Sequence, residues 1–232
     1  MMTESAASEV PHYFKSPAEL IEELGITSPR DLVIEAIAQY CGATILYEHL
    51  KGSEARIIGF QDKAIITVSR QAIRSRQRFS AAHELGHWMW DRGKMVFSCG
   101  GGGTGELGAS ATLDDNQMEK RANRYAAELL LPESFVRRSL DGKRLTFDVI
   151  ETVASDYQTS FSATAIRLVE LVPQPCALVR REEGQVRWKY VNALGQEAWS
   201  SPEEGFSLEQ QILPVEKNAA YVLVYGSLPI FQ

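Results

Sequence analysis

The chain is poor in the residues that staple, span or export a protein. Its three cysteines, Cys41, Cys99 and Cys176, are odd in number and far apart. That spacing argues against a disulfide framework and for a reducing, cytoplasmic setting. No apolar run approaches the roughly 18 residues that a membrane helix needs. The opening MMTESAASEVPHYF has neither a basic start nor an apolar core, so it does not read as a secretory signal. Positive charge is also scarce: the formal net charge is −6, a poor balance for binding nucleic acid through charge alone. One local exception is the set Arg70, Arg74, Arg76 and Arg78. It reads either as a solvated helix face or as a docking surface for an acidic segment or a nucleic-acid strand.

What is present is the texture of a globular α+β protein. Residues 1–15 are small and polar without periodicity and read as loose. Ser16-Pro17 opens a short helix stopped by Gly25, and Ser28-Pro29 opens a second, ended by Gly42. Residues 44–47, 56–60 and 64–68 read as strands, the last two forming a hairpin around residues 61–63. Helical periodicity returns from Ser75 to Trp90. A glycine-rich stretch then predicts a mobile loop from about Gly93 to Leu113. A helix follows from near Asp115 to Leu131, stopped by Pro132. Two more are expected over Phe147–Tyr157 and over Ala163–Val172, the latter capped by Ser162. Pro173-Gln174-Pro175 marks a boundary, beyond which 176–181, 185–191 and 221–225 are strand-like. The expected organisation is one main domain over 1–172 and a β-rich accessory or sensor module over 173–232.

Only four histidines occur, and two of them fall in His83-Glu84-Leu85-Gly86-His87. On a helix, positions i and i+4 share a face. Two imidazoles so placed can aim a nitrogen each at one zinc ion about 2 Å away. Glu84 can then reach a metal-bound water and take its proton as attack on a carbonyl begins. The surrounding residues are mostly apolar, as a buried helix requires, and Gly86 leaves room for close packing. A catalytic zinc needs a third protein ligand. His12 and His49 are poorly situated, one in the loose terminus and one after a strand. The helix beginning near Asp115 offers Glu119 near its start and Glu128 near its end.

RFSAAHELGHWMW at 78–90, followed by EKRANRYAAELLLP at 119–132, resembles the paired helices of the ImmA/IrrE metallopeptidases. Both halves match in order and separation. A looser likeness extends over about 17–172 and leaves 173–232 unexplained. The resemblance implies that Glu119 is the third zinc ligand. It makes Asn123, one turn later on the same face, a supporting partner, and Glu128 a capping or salt-bridging residue. It also implies a substrate: a separate helix-turn-helix repressor, cut under stress or DNA damage to relieve repression.

The segment 153–171 mimics a helix-turn-helix on paper, but the resemblance makes it a helical pair of the peptidase. Cys99, a lone thiol on the glycine-rich tether, could occupy the fourth zinc position and hold the enzyme latent. The β-rich tail and the arginines at 70–78 are candidate receivers of an activating nucleic acid, small molecule or protein. Two other readings compete with the peptidase: a catalytically silent zinc-binding regulator acting by contact, and a DNA-binding transcription factor.

Overall fold

Ser16 starts the first helix with its own side chain. Its hydroxyl accepts from Glu19 N at 3.3 Å, and the Glu19 carboxylate accepts from Ser16 N at 2.7 Å. This reciprocal cap fixes α1 (Pro17–Glu23). The computed structural model describes residues 13–92, 113–200, 207–216 and 219–227. The chain divides after Leu130 into two compact units.

In the first unit the helix expected from Ser28-Pro29 is interrupted. The Asp31 carboxylate accepts from Ser28 N at 3.0 Å and from its hydroxyl at 2.9 Å, closing a single 3-10 turn at Pro29–Asp31. Leu32 and Val33 then leave helical geometry, and α2 (Ile34–Tyr40) begins afresh. Three strands follow, β1 (Ala43–Glu48), β2 (Ala55–Phe60) and β3 (Lys63–Ser69), in the order β1-β3-β2. β1 runs parallel to β3, and β2 antiparallel to it. The expected hairpin is present but tighter than its composition suggests: Lys63 already pairs with Phe60, and Gln61 takes the turn at φ 53°.

The long helix α3 (Arg74–Asp91) lies against β2 and β3. At Gly59 the two approach so closely that a Cβ would sit 2.5 Å from the Trp88 ring. Trp88 Nε1 donates to Cys41 O at 2.8 Å, tying the same helix to the end of α2. Alongside α3 runs α4 (Leu113–Leu130). Residues 13–15 depart from the expected looseness of 1–15. Phe14 packs on Trp90 at 4.3 Å between ring centres, and Tyr125 Oη donates to Lys15 O at 3.1 Å. Aromatic side chains on α3 and α4 thus hold this segment.

The second unit contains α5 (Glu133–Leu140), α6 (Phe147–Tyr157) and α7 (Phe161–Leu171). β4 (Cys176–Glu182), β5 (Gln185–Val191), α8 (Ala193–Ser200), β6 (Ser207–Glu216) and β7 (Ala219–Ser227) follow. The four strands form an antiparallel sheet in the order β5-β4-β7-β6. α6 matches its expected span. α7 starts two residues earlier than expected, because Ser160 and not Ser162 supplies the cap, accepting from Ala163 N at 3.2 Å. α8 and β6 carry weak signals: α8 is short, and β6 contains Pro214, which an edge strand tolerates. Buried Asn192 is the junction of this unit. Its Oδ1 accepts from Cys176 N at 3.0 Å and Gly195 N at 2.8 Å, and its Nδ2 donates to Val169 O at 3.1 Å. Cys41 and Cys176 are buried free thiols. The architecture is α+β, with no helix long and apolar enough to cross a membrane among the described residues.

Candidate metal centre

The two imidazoles come from one helix and the carboxylate from the next. His83 and His87 sit one turn apart on α3, with ring centres 4.7 Å apart and Nε2 atoms 3.1 Å apart. Glu119, in the second turn of α4, reaches both: Oε2 lies 3.3 Å from His83 Nε2, and Oε1 lies 3.3 Å from His87 Nε2. One ligand atom from each residue lies within 4.8 Å of the others, so the three could hold a metal ion. The spacing suits zinc. Bonds of about 2.0–2.1 Å in a tetrahedron put ligand atoms about 3.3 Å apart. Glu128, the other carboxylate weighed from sequence, instead pairs with Arg124 Nε at 2.8 Å.

What lets α4 deliver Glu119 is the small contact between Gly86 and Ala122. A Cβ on Gly86 would meet Ala122 Cα at 3.0 Å and Ala122 O at 3.1 Å. Each is three residues beyond a ligand, so the close crossing and the ligand set share one stretch of both helices.

The ring nitrogens turned away from the cluster have partners. His83 Nδ1 is 3.0 Å from Asn123 Oδ1, the residue expected to support the site. His87 Nδ1 is 3.4 Å from Asp91 Oδ2, and Arg121 approaches the other Asp91 oxygen at 3.7 Å. The sequence reading missed Asp91 and Arg121. A carboxylate four residues beyond His87 was a usable signal, since ligating histidines commonly give their second N–H to an acceptor.

Glu84 is 2% exposed, and its Oε2 is buried without a hydrogen-bond partner. Burial pushes its carboxyl up, the neighbouring imidazoles pull it down, and the Glu119 charge raises it again. Hydrogen bonds from His83 and then His87 hold the Glu119 carboxyl far below the usual carboxylate range. A buried acid with an unsatisfied oxygen beside two imidazoles and an ionised carboxylate fits a site that receives a cation and a polar reactant.

Other sequence-selected residues lie elsewhere. Cys99 and His12 fall outside the described residues. The arginines at 70–78 are engaged internally: Arg70 donates to Tyr47 O at 3.0 Å, Arg74 pairs with Glu35 at 3.3 Å, and Arg76 pairs with Glu54. Arg78 is buried and donates to Leu32 O at 3.0 Å. The helix-turn-helix mimic falls on α6 and α7, and the one exposed residue of α7 is Glu170, the others being buried or half-buried. An acidic residue is a poor start for a DNA-reading face.

A helix-borne imidazole pair, a carboxylate from a second helix and a buried neighbouring acid make up a metallopeptidase-type donor set on an α+β fold. The chain belongs to the peptidase family of the IrrE N-terminal-like domain, whose family model matches residues 38–169. A solved structure of a Mycobacterium tuberculosis transcriptional regulator shares the fold, with a TM-score of 0.53 at 13% identity. That match covers 90% of this chain and 85% of the regulator. No curated protein matches the chain.

Proposed function

We propose that the chain is a zinc-dependent endopeptidase. His83, His87 and Glu119 hold the ion, and Glu84 serves as general base and then general acid. Its substrate is a separate helix-turn-helix repressor, cut to relieve repression under stress or DNA damage. The observation that carries this reading is the convergence of three ligand atoms at near-tetrahedral spacing beside the buried Glu84. Family membership and the fold shared with a transcriptional regulator support the regulatory setting.

Zinc in such a site supplies Lewis-acid polarisation of a carbonyl and acidifies water. The rest falls to the protein. Asn123 holds the His83 ring by accepting from Nδ1, which would leave Nε2 to serve as the ligand to a metal ion. The Glu84 oxygen that lacks a partner takes the proton of the attacking water, and the same carboxyl returns it to the leaving amine. Burial suits that role by bringing the carboxyl nearer the working pH, so the proton is both accepted and released. Residues 173–232 are assigned to sensing or to substrate docking.

The test is to mix the purified zinc-loaded chain with helix-turn-helix proteins encoded beside its gene. The expected result is one discrete cleavage, lost in Glu84→Gln. Relief of repression that survives Glu84→Gln would instead establish a regulator acting by contact.

A further inference from the structure

We propose that Asp91 is a positioning residue of the metal centre, fixing the ring orientation and tautomer of His87, with Arg121 as its counter-ion. This rests on the metal-centre reading above and extends it to residues outside the ligand set. A neutral imidazole has one N–H and one lone pair, and the hydrogen bond on one nitrogen decides which role the other takes. His87 Nε2 is the nitrogen turned into the cluster, 3.1 Å from His83 Nε2 and 3.3 Å from Glu119, so as a ligand to a metal ion there it carries the lone pair. Its Nδ1 then carries the hydrogen, and Asp91 Oδ2 lies 3.4 Å away to accept it. The two are i and i+4 on α3, so the helix itself sets their approach.

Burial makes the arrangement informative. The Asp91 side chain is 1% exposed and that of His87 is 2% exposed. A carboxylate this deep is tolerated only where cations or donors compensate it. Arg121 supplies part of that compensation at 3.7 Å, and its guanidinium is itself stationed over the Trp90 ring at 5.2 Å. Arg121 lies on α4, the helix that also brings Glu119 and Asn123. The two histidines are therefore held differently. His83 leans on a neutral amide from α4, whereas His87 leans on a carboxylate from its own helix that α4 neutralises. The carboxylate partner makes the His87 ring the more basic donor.

The test is a zinc titration of the full chain against a competing chelator, with thermal unfolding of the metal-free form beside it. Asp91→Asn keeps the shape and removes the charge. The expected result is zinc affinity weakened about 10- to 100-fold, with metal-free unfolding within a few degrees of wild type. Wild-type affinity in Asp91→Asn overturns the proposal. So does a metal-free melting point lowered as far as that of the core truncation Leu85→Ala, which makes the residue structural. Nitrogen-15 ring NMR of the zinc-loaded wild type needs no variant. A protonated His87 Nδ1 is expected, and a protonated Nε2 defeats the assignment. A wild-type chain that takes up no zinc removes the metal centre itself, and the positioning role with it. That outcome is distinct from normal uptake with an indifferent Asn variant.

Discussion

Gly86 and Ala122 meet where α3 crosses α4, so closely that a side chain on the glycine would crowd the α4 backbone. A Cβ there would lie 3.0–3.1 Å from Ala122 backbone atoms. These atoms belong to a helix and cannot swing aside as a side-chain tip would. Gly86→Val must push the helices apart, and overpacking of this kind costs roughly 1–3 kcal/mol. Because Glu119 rides on the displaced helix, zinc affinity falls along with stability. Chemical denaturation and a zinc titration of the same variant measure both losses.

The short segment ahead of α1 contributes to the same helix pair. Phe14 stacks on Trp90 and sits edge-on to Tyr125 at 6.2 Å between centres. Removal of the ring in Phe14→Ala is expected to cost about 2 kcal/mol, below the range for a fully buried Phe because this one is half-buried. Tyr125→Phe, which loses only the bond to Lys15 O, is expected to cost about 1 kcal/mol. Urea midpoints of the two variants distinguish packing from hydrogen bonding.

Alkaline pH tests the two buried thiols. Burial pushes Cys41 from an ordinary value of 9.0 up to about 11, and Cys176 up to about 12. Above pH 9 the unfolded chain releases these protons while the folded chain keeps them. The stabilisation is therefore complete below about pH 9 and declines as pH rises toward 11 and 12. Each thiol adds at most about 1.4 kcal/mol per pH unit in that window. Denaturation midpoints at pH 8, 9 and 10 should fall more steeply for wild type than for the Cys41→Ala, Cys176→Ala double variant.

Zinc should also act on stability by mass action. An ion bound only by the folded chain raises the unfolding free energy by about 2.7 kcal/mol at a hundred times its dissociation constant. Thermal unfolding with excess zinc and with a chelator reads this directly. His87→Ala should lose the response while still folding.

The legibility of the sequence varied with the kind of signal. α1, α3, α4 and α6 carry caps or long periodic stretches and emerged within a residue or two of their expected bounds. The break at Leu32–Val33 was hidden because Ser28-Pro29 is equally good at opening a 3-10 turn, and the Asp31 carboxylate closes that turn at once. β6 was hidden by Pro214 and by its polar stretch Glu209-Gln210-Gln211, features that an edge strand accepts and a central one does not. At the centre, His83, Glu84 and His87 were plain from spacing. The selection of Glu119 over Glu128 drew on a family resemblance, because helical periodicity allows either carboxylate. Asp91 and Arg121 went unseen for a different reason. Asp91 offered only its spacing of four residues from His87, while Arg121 is one of several arginines and gains its meaning only from meeting Asp91 across α3 and α4.

The central claim is that His83, His87 and Glu119 bind one divalent ion together. The most direct measurement is metal content after exhaustive dialysis against trace zinc, for the wild type and for Glu119→Ala. One zinc per wild-type chain and a large loss in the variant are expected. A wild-type chain that emerges without metal, or a Glu119→Ala chain that retains it in full, would contradict the claim.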